Sequence, residues 1–167
     1  MNQPDTLQLA ELNIGRLLAP TDDPRVAEFM AALDRINGLG KRMPGFVWMA
    51  EGSGEPGTGN TEVKLDGDAQ FVSNLIVWES VETLEAFVWN TVHRSFYERR
   101  AEWFEVLGKM HFVMWWVPAG HRPTIDEAMA RLAKKQERGD SDEAFGWAYL
   151  KQARLWQSRG CTQVAAE

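Results

Sequence analysis

The chain has 167 residues and a formal net charge of −6, and its single cysteine excludes an internal disulfide and a thiolate metal cluster. The acidic balance argues against nucleic acid as a partner, because binding to phosphates needs a basic surface. No apolar run approaches membrane-spanning length, and the first residues, MNQPDTLQ, lack the features of a signal peptide. We therefore expect a cytoplasmic protein with no membrane partner.

The first part of the chain predicts a strand, a helix and a second strand. Residues 7–15 alternate between two faces, as in a strand. Asp23 is a suitable N-cap and Pro24 a suitable first residue for a helix that ends in the glycines of NGLG. A short strand is then expected around residues 46–50.

The connection from Glu51 to Gln70 contains GSGEPG, which matches the G-x-G-x-x-G pattern of dinucleotide-binding loops. Such a loop binds pyrophosphate only where a strand leads directly into a helix N-terminus. Here Pro56 and two further glycines interrupt the loop, and another strand follows. The sequence therefore favours a hairpin loop over a cofactor site.

The second part predicts a strand, a long helix, a strand and a third helix. The strand is expected at 71–80, and Ser80 would cap a helix that continues through VWNTVHRSFYERRAEWF. Residues 111–117 are dense in β-branched and aromatic side chains and predict the fourth strand. A capping box in TIDE, beginning at Thr124, starts the third helix, and Gly139 ends it.

This β-α-β-β-α-β order predicts an α+β, ferredoxin-like domain over residues 1–139. Residues 140–167 would form a C-terminal helical extension. Two main helices cover one face of such a sheet, and the other face is too apolar in this sequence to remain in water. We therefore expect a homodimer that packs through its sheets and encloses a cavity.

Four stretches resemble a bacterial family of unknown function in the dimeric α/β-barrel superfamily, which includes the antibiotic-biosynthesis monooxygenases. The stretches are LAELNIGRLLAPTDDPRVAEFMAALDRIN, MPGFVW, LIVWESVETLEAFVWNTVHRSFYERRAEWF and MWWVPAGHRPTIDEAMARL. The resemblance implies a ferredoxin-like protomer and a dimeric α/β barrel. Members of the superfamily include cofactor-independent oxygenases, lactone isomerases and haem enzymes, so the resemblance does not imply one reaction. After Gly139 the chain departs from the family pattern.

The long predicted helix carries the candidate catalytic residues. Its apolar arc contains His93, with Arg100 two turns further on and Tyr97 at the border. His93 would accept or donate a proton, because an ordinary histidine pKa of about 6.5 suits neutral pH. Arg100 would hold an enolate or carboxylate. The predicted substrate-binding residues are Trp48, Trp78, Trp89, Tyr97, Trp103 and Asn74.

Two other interpretations of His93 are open. His93 is a structural residue if it bridges to a strand carboxylate such as Glu11 or Glu79. It is a haem ligand, with His111 and His121 as further candidates, if the protein resembles the haem members. No His, Asp or Glu pair suits a non-haem metal, so none is predicted.

The sequence thus favours a small-molecule enzyme with an aromatic-lined pocket, no cofactor and monooxygenase-like chemistry on an apolar or aromatic substrate. A haem-binding dimer and a non-catalytic ligand-binding dimer are the alternatives.

Overall fold

The computed structural model describes residues 1–52, 67–107 and 111–158. These residues form a mixed α+β fold with a four-stranded antiparallel sheet and five α-helices. The strands are β1 (Leu7–Arg16), β2 (Phe46–Met49), β3 (Phe71–Trp78) and β4 (Phe112–Pro118), and the helices are α1 (Ala27–Gly40), α2 (Val81–Asn90), α3 (His93–Glu98), α4 (Ile125–Arg138) and α5 (Arg154–Ser158). None of the helices in this part of the chain is long and apolar enough to cross a membrane.

The sheet has the strand order β2-β3-β1-β4, so β1 and β3 are the inner strands. Leu9 of β1 lies opposite Trp78 of β3 and Trp116 of β4, which fixes the register of all three strands. The predicted strands are confirmed to within a few residues. The GSGEPG loop lies almost entirely outside the described residues.

The predicted helix starts are confirmed by their side-chain caps. Asp23 accepts a hydrogen bond from the backbone two residues on and precedes a 3-10 turn that leads into α1. Ser80 caps α2, and Thr124 caps α4. The predicted capping box of α4 is only half formed, because the Glu127 side chain turns away to the Trp115 indole.

The prediction of one long helix through VWNTVHRSFYERRAEWF is wrong. α2 ends at Asn90, and Thr91 takes an extended conformation with φ −123° and ψ −176°. Its hydroxyl donates to the Phe87 carbonyl at 2.7 Å and accepts from the His93 N–H at 3.1 Å. A threonine side chain that bonds to the local backbone competes with the helical ladder, and the next residue, Val92, is also β-branched. The helix therefore restarts as α3 in a new direction.

Both faces of the sheet are buried within one chain. On the first face, α1 and α2 pack over Leu9, Ile76, Trp78 and Met114. On the second face, α4 packs Ala128 and Leu132 over a set of strand residues that are at most 1% exposed: Ala10, Leu12, Leu75, Val77, Val113 and Trp115. Because α4 of the same chain packs on this second face, the burial of the face does not require a partner subunit.

Residues 140–158 are part of the same core. Phe145 exchanges backbone hydrogen bonds of 2.7 and 2.9 Å with Met114 at the outer edge of β4. Phe145, Leu150 and Ala153 are fully buried on the first face. This segment therefore completes the covering of the first face rather than standing apart from it.

Candidate active site

An opening in the first face reaches the sheet at Asn13. Alternate residues of β1 face the same side as Asn13. The two of them that precede Asn13, Leu9 and Glu11, are 0% and 8% exposed. Gly15, the one after it, lies under the Phe104 ring, which a Cβ atom there would approach to 2.6 Å. Asn13 is nevertheless exposed, although β1 is an inner strand. An exposed side chain between covered neighbours on an inner strand marks a gap in the covering layer.

The floor of this opening contains two amides and an aromatic ring. Asn13 lies opposite Asn74 of β3 and Phe112 of β4. Asn74 is half-buried, and its Oδ1 is enclosed without a hydrogen-bond partner among the described residues. The predicted substrate-binding residue Asn74 therefore lies at the opening with an unused acceptor.

Glu11 is the titratable group beside this opening. Glu11 lies two positions before Asn13 in β1, on the same face of the sheet. Its Oε1 accepts a hydrogen bond from Trp78 Nε1 at 3.2 Å. Burial raises the pKa of Glu11 to about 7, and the bond from Trp78 opposes that rise. Close to neutral pH, the carboxyl group therefore exists in comparable amounts with and without its proton.

Glu11 was predicted only as one of two structural partners for His93, with no catalytic role. The sequence feature that could have identified Glu11 is its position on the same strand face as Leu9. The helices cover this face. A carboxyl group with a strongly shifted pKa beside a cleft is a candidate functional group.

His93 lies at the start of α3 and is connected to Glu11 through aromatic contacts. Its ring centroid is 4.8 Å from that of Phe87, which stacks on Trp78 at 5.3 Å. Burial lowers the pKa of His93 to about 4, and a hydrogen bond to the Val88 backbone opposes that change. The ring is therefore neutral at pH 7, and its Nδ1 is enclosed without a partner in the described part of the chain.

Arg100 does not share a helical face with His93, because the chain turns between them. It begins a 3-10 turn after α3, and its Nη1 donates to the Tyr97 carbonyl at 2.9 Å. Its guanidinium lies 4.4 Å from the centroid of the Tyr97 ring. Tyr97 in turn packs edge-on against Trp89 at 5.0 Å, and Trp89 Nε1 is enclosed without a described partner.

The predicted tryptophans do not line one pocket. Trp48 packs with the cluster on the second face, on the opposite side of the sheet. Trp103 is buried against Phe29 and Phe96. The predicted site residues that the structure places on the first face are Asn74, Trp78, Trp89, His93 and Tyr97.

The histidines do not fit haem. Axial ligation needs an imidazole nitrogen that faces open space, and His93 Nδ1 is enclosed. His111 stacks on Phe71 with centroids 6.3 Å apart, and the exposed His121 pairs with Glu127 at 2.7 Å. Within residues 1–52, 67–107 and 111–158, no group of three His, Cys, Asp or Glu side chains could hold a metal ion.

The fold and site define an α+β protein with a protonatable carboxyl group at an opening over its sheet. The family described as Domain of unknown function (DUF3291) matches residues 8–161, and the chain belongs to this family. No curated protein and no solved structure matches the chain.

Proposed function

We propose that the protein is an enzyme that binds a small apolar or aromatic molecule above Asn13 and removes a proton from it with Glu11. The observation that carries this proposal is the position of Glu11, covered by protein yet next to the opening, with a pKa of about 7. A general base works best when its pKa lies near the working pH, and burial is the usual means of raising a carboxyl group to that value.

The proposed reaction is monooxygenase-like and needs no cofactor. The Glu11 carboxylate takes a proton from an activated CH₂ group, and the resulting carbanion adds to molecular oxygen to form a peroxide anion. The proton then returns from Glu11 to the peroxide, which loses water and leaves a carbonyl group. One oxygen atom enters the product and the other enters water. The resemblance to antibiotic-biosynthesis monooxygenases supports this choice of reaction.

The neighbouring polar groups would hold the substrate. Asn74 Oδ1 has no partner among the described residues, and an unpaired buried polar atom costs about 1–3 kcal/mol. A hydroxyl or N–H group of the substrate would remove that cost. Arg100, whose Nη1 donates to the Tyr97 carbonyl at 2.9 Å, would hold the anion that forms when the proton leaves.

We also propose that the protomer is ferredoxin-like and belongs to the dimeric α/β-barrel superfamily. Counted from the β4 edge, the strand order is β4-β1-β3-β2, as in a ferredoxin-like sheet. This order and the sequence resemblance support the assignment. A cytoplasmic homodimer is part of the same proposal. Because α4 packs on the second face, the partner subunit would use another surface or displace α4.

Oxygen uptake with a panel of hydroxylated anthrones would test the proposed reaction. We expect the Glu11→Gln variant, which keeps the shape of the side chain, to lose about 100-fold or more in kcat/KM. In the unmodified enzyme, kcat/KM should fall as the pH drops below about 7, because Glu11 then gains a proton. The control is Glu79→Gln, at an exposed position just after β3. Unchanged oxygen uptake in Glu11→Gln would exclude the proposed role of Glu11.

A further inference from the structure

We propose that Trp78 is a positioning residue, whose indole N–H holds the Glu11 carboxyl group in the orientation that accepts a proton from the substrate. This inference rests on the proposed function, because it concerns the same base. It assigns a separate task to a tryptophan that the sequence suggested only as a substrate contact.

The indole ring of Trp78 has a fixed orientation. The residue is 0% exposed, and its ring lies edge-on to Phe46 at 5.9 Å and stacked on Phe87 at 5.3 Å. Trp78 lies opposite Leu9, and Glu11 lies opposite Ile76, so Trp78 and Glu11 are diagonal neighbours on one sheet face. Diagonal neighbours are within reach of a long aromatic side chain. The regular register of the strands therefore brings the Trp78 N–H group to Glu11 Oε1, at a distance of 3.2 Å.

The bond has two consequences for the base. It stabilises the carboxylate form, which would otherwise lose its hydration without compensation. It also occupies Oε1, so that Oε2 is left to take the proton. An indole N–H donates but does not accept, so Trp78 cannot compete with the carboxylate for the proton.

The described residues around Glu11 provide no charged group that would replace this bond. Across the sheet, Glu11 faces Ile76 on one side and Met114 on the other. The titratable side chain connected to it through the covering layer is His93, which is uncharged at neutral pH. The pKa of Glu11 is set by its burial and by the bond from Trp78.

A second tryptophan–glutamate pair provides a matched control. Trp115 is also 0% exposed, and its Nε1 donates to Glu127 Oε1 at 2.9 Å. This pair lies on the second face, against α4. A Trp115→Phe variant therefore removes the same kind of bond from a buried indole without touching the site.

The test is to follow the ¹⁵N-labelled indole groups and the ¹³C-labelled glutamate carboxyls by NMR between pH 5 and pH 9. In the unmodified protein, the Trp78 indole signal should titrate with the Glu11 carboxyl near pH 7, and Glu11→Gln should abolish that titration. In Trp78→Phe, the Glu11 midpoint and the acid limb of kcat/KM should both move up by about one pH unit. Trp115→Phe should leave both where they are.

The outcomes separate this inference from the proposed function. A Trp78 indole signal that does not titrate with Glu11 would overturn the inference, and this measurement needs no variant to fold. A Glu11 midpoint that stays in place in Trp78→Phe would also overturn it. If the NMR midpoints behave as expected but no anthrone is oxidised by the unmodified protein, the proposed reaction is wrong while the control of Glu11 by Trp78 stands.

Discussion

At the scale of single residues, burial shifts the pKa values of Glu11 and His93 in opposite directions. Burial raises the pKa of Glu11 to about 7 and lowers the pKa of His93 to about 4. Both changes favour the uncharged form, because the covered side of the sheet disfavours charge. The ordinary values of 4.5 and 6.5 apply in the unfolded chain, so each group links stability to pH.

Glu11 should make the protein less stable as the pH rises. Its folded pKa is above its unfolded value, so its contribution is complete below pH 4.5 and is lost as the pH rises to about 7. The shift corresponds to at most about 3 kcal/mol. The Glu11→Gln variant should therefore gain up to about 3 kcal/mol over the unmodified protein between pH 4.5 and pH 8, measured by urea unfolding at a series of pH values.

His93 should show the opposite dependence. Its folded pKa is below its unfolded value, so its contribution is present above pH 6.5 and is lost as the pH falls towards 4. His93→Asn should remove this acid-side loss, whereas His121→Asn, at an exposed position, should not. Identical pH profiles for the unmodified protein and both His93→Asn and Glu11→Gln would show that neither group is buried as described.

At the scale of elements, the opening depends on how the chain returns from α3 to β1. Glu105 N donates to the Arg16 carbonyl at 2.9 Å, and Leu17 forms an antiparallel bridge with Phe104. This pairing places the Phe104 ring against Gly15. The ring forms one end of the opening, and Glu11 lies at the other end.

Replacing Gly15 with alanine tests this placement. The new Cβ would lie 2.6 Å from Cδ1 and Cε1 of Phe104, so the ring must move. We expect a loss of about 1–3 kcal/mol in the free energy of unfolding, as for other overpacked sites. In a Phe104→Ala background the same change should cost little, which a double-mutant cycle measures. The control is Gly38→Ala in α1, where the closest atom is 3.7 Å away and helix propensity favours alanine.

The sequence predicted the elements better than their directions. Alternation and caps placed four strands and the starts of α1, α2 and α4, because these signals are local. The long helix failed because apolar spacing continues past Thr91, while the hydroxyl of that residue redirects the backbone. Glu11 was missed as a base because its pKa depends on which strand positions the helices cover. That coverage is a tertiary property that periodicity does not contain.

At the scale of the whole molecule, one chain covers both faces of its sheet. The helices that precede β4 cover the first face, and α4 covers the second. The chain then crosses the outer edge of β4 and returns to the first face with Phe145 and Leu150. Glu85 of α2 accepts a hydrogen bond from Trp156 N at 2.8 Å and so ties α5 to this layer.

Because residues 140–158 belong to the core, replacing a buried side chain among them should destabilise the whole domain. Phe145 is 0% exposed, and its ring packs against Trp116 at 5.2 Å and Tyr149 at 6.0 Å. Phe145→Ala should lower the free energy of unfolding by about 3–5 kcal/mol, the usual cost of a phenylalanine removed from a core.

Urea unfolding followed by far-UV circular dichroism would measure this loss for the sheet and helices together. Val106→Ala, at a position that is 68% exposed, should change stability by less than about 0.5 kcal/mol. A separate extension would instead lose its own structure at low urea and leave the main transition unchanged. Because Phe145 shares backbone hydrogen bonds with the middle of β4, we expect a single transition that moves as a whole to lower urea.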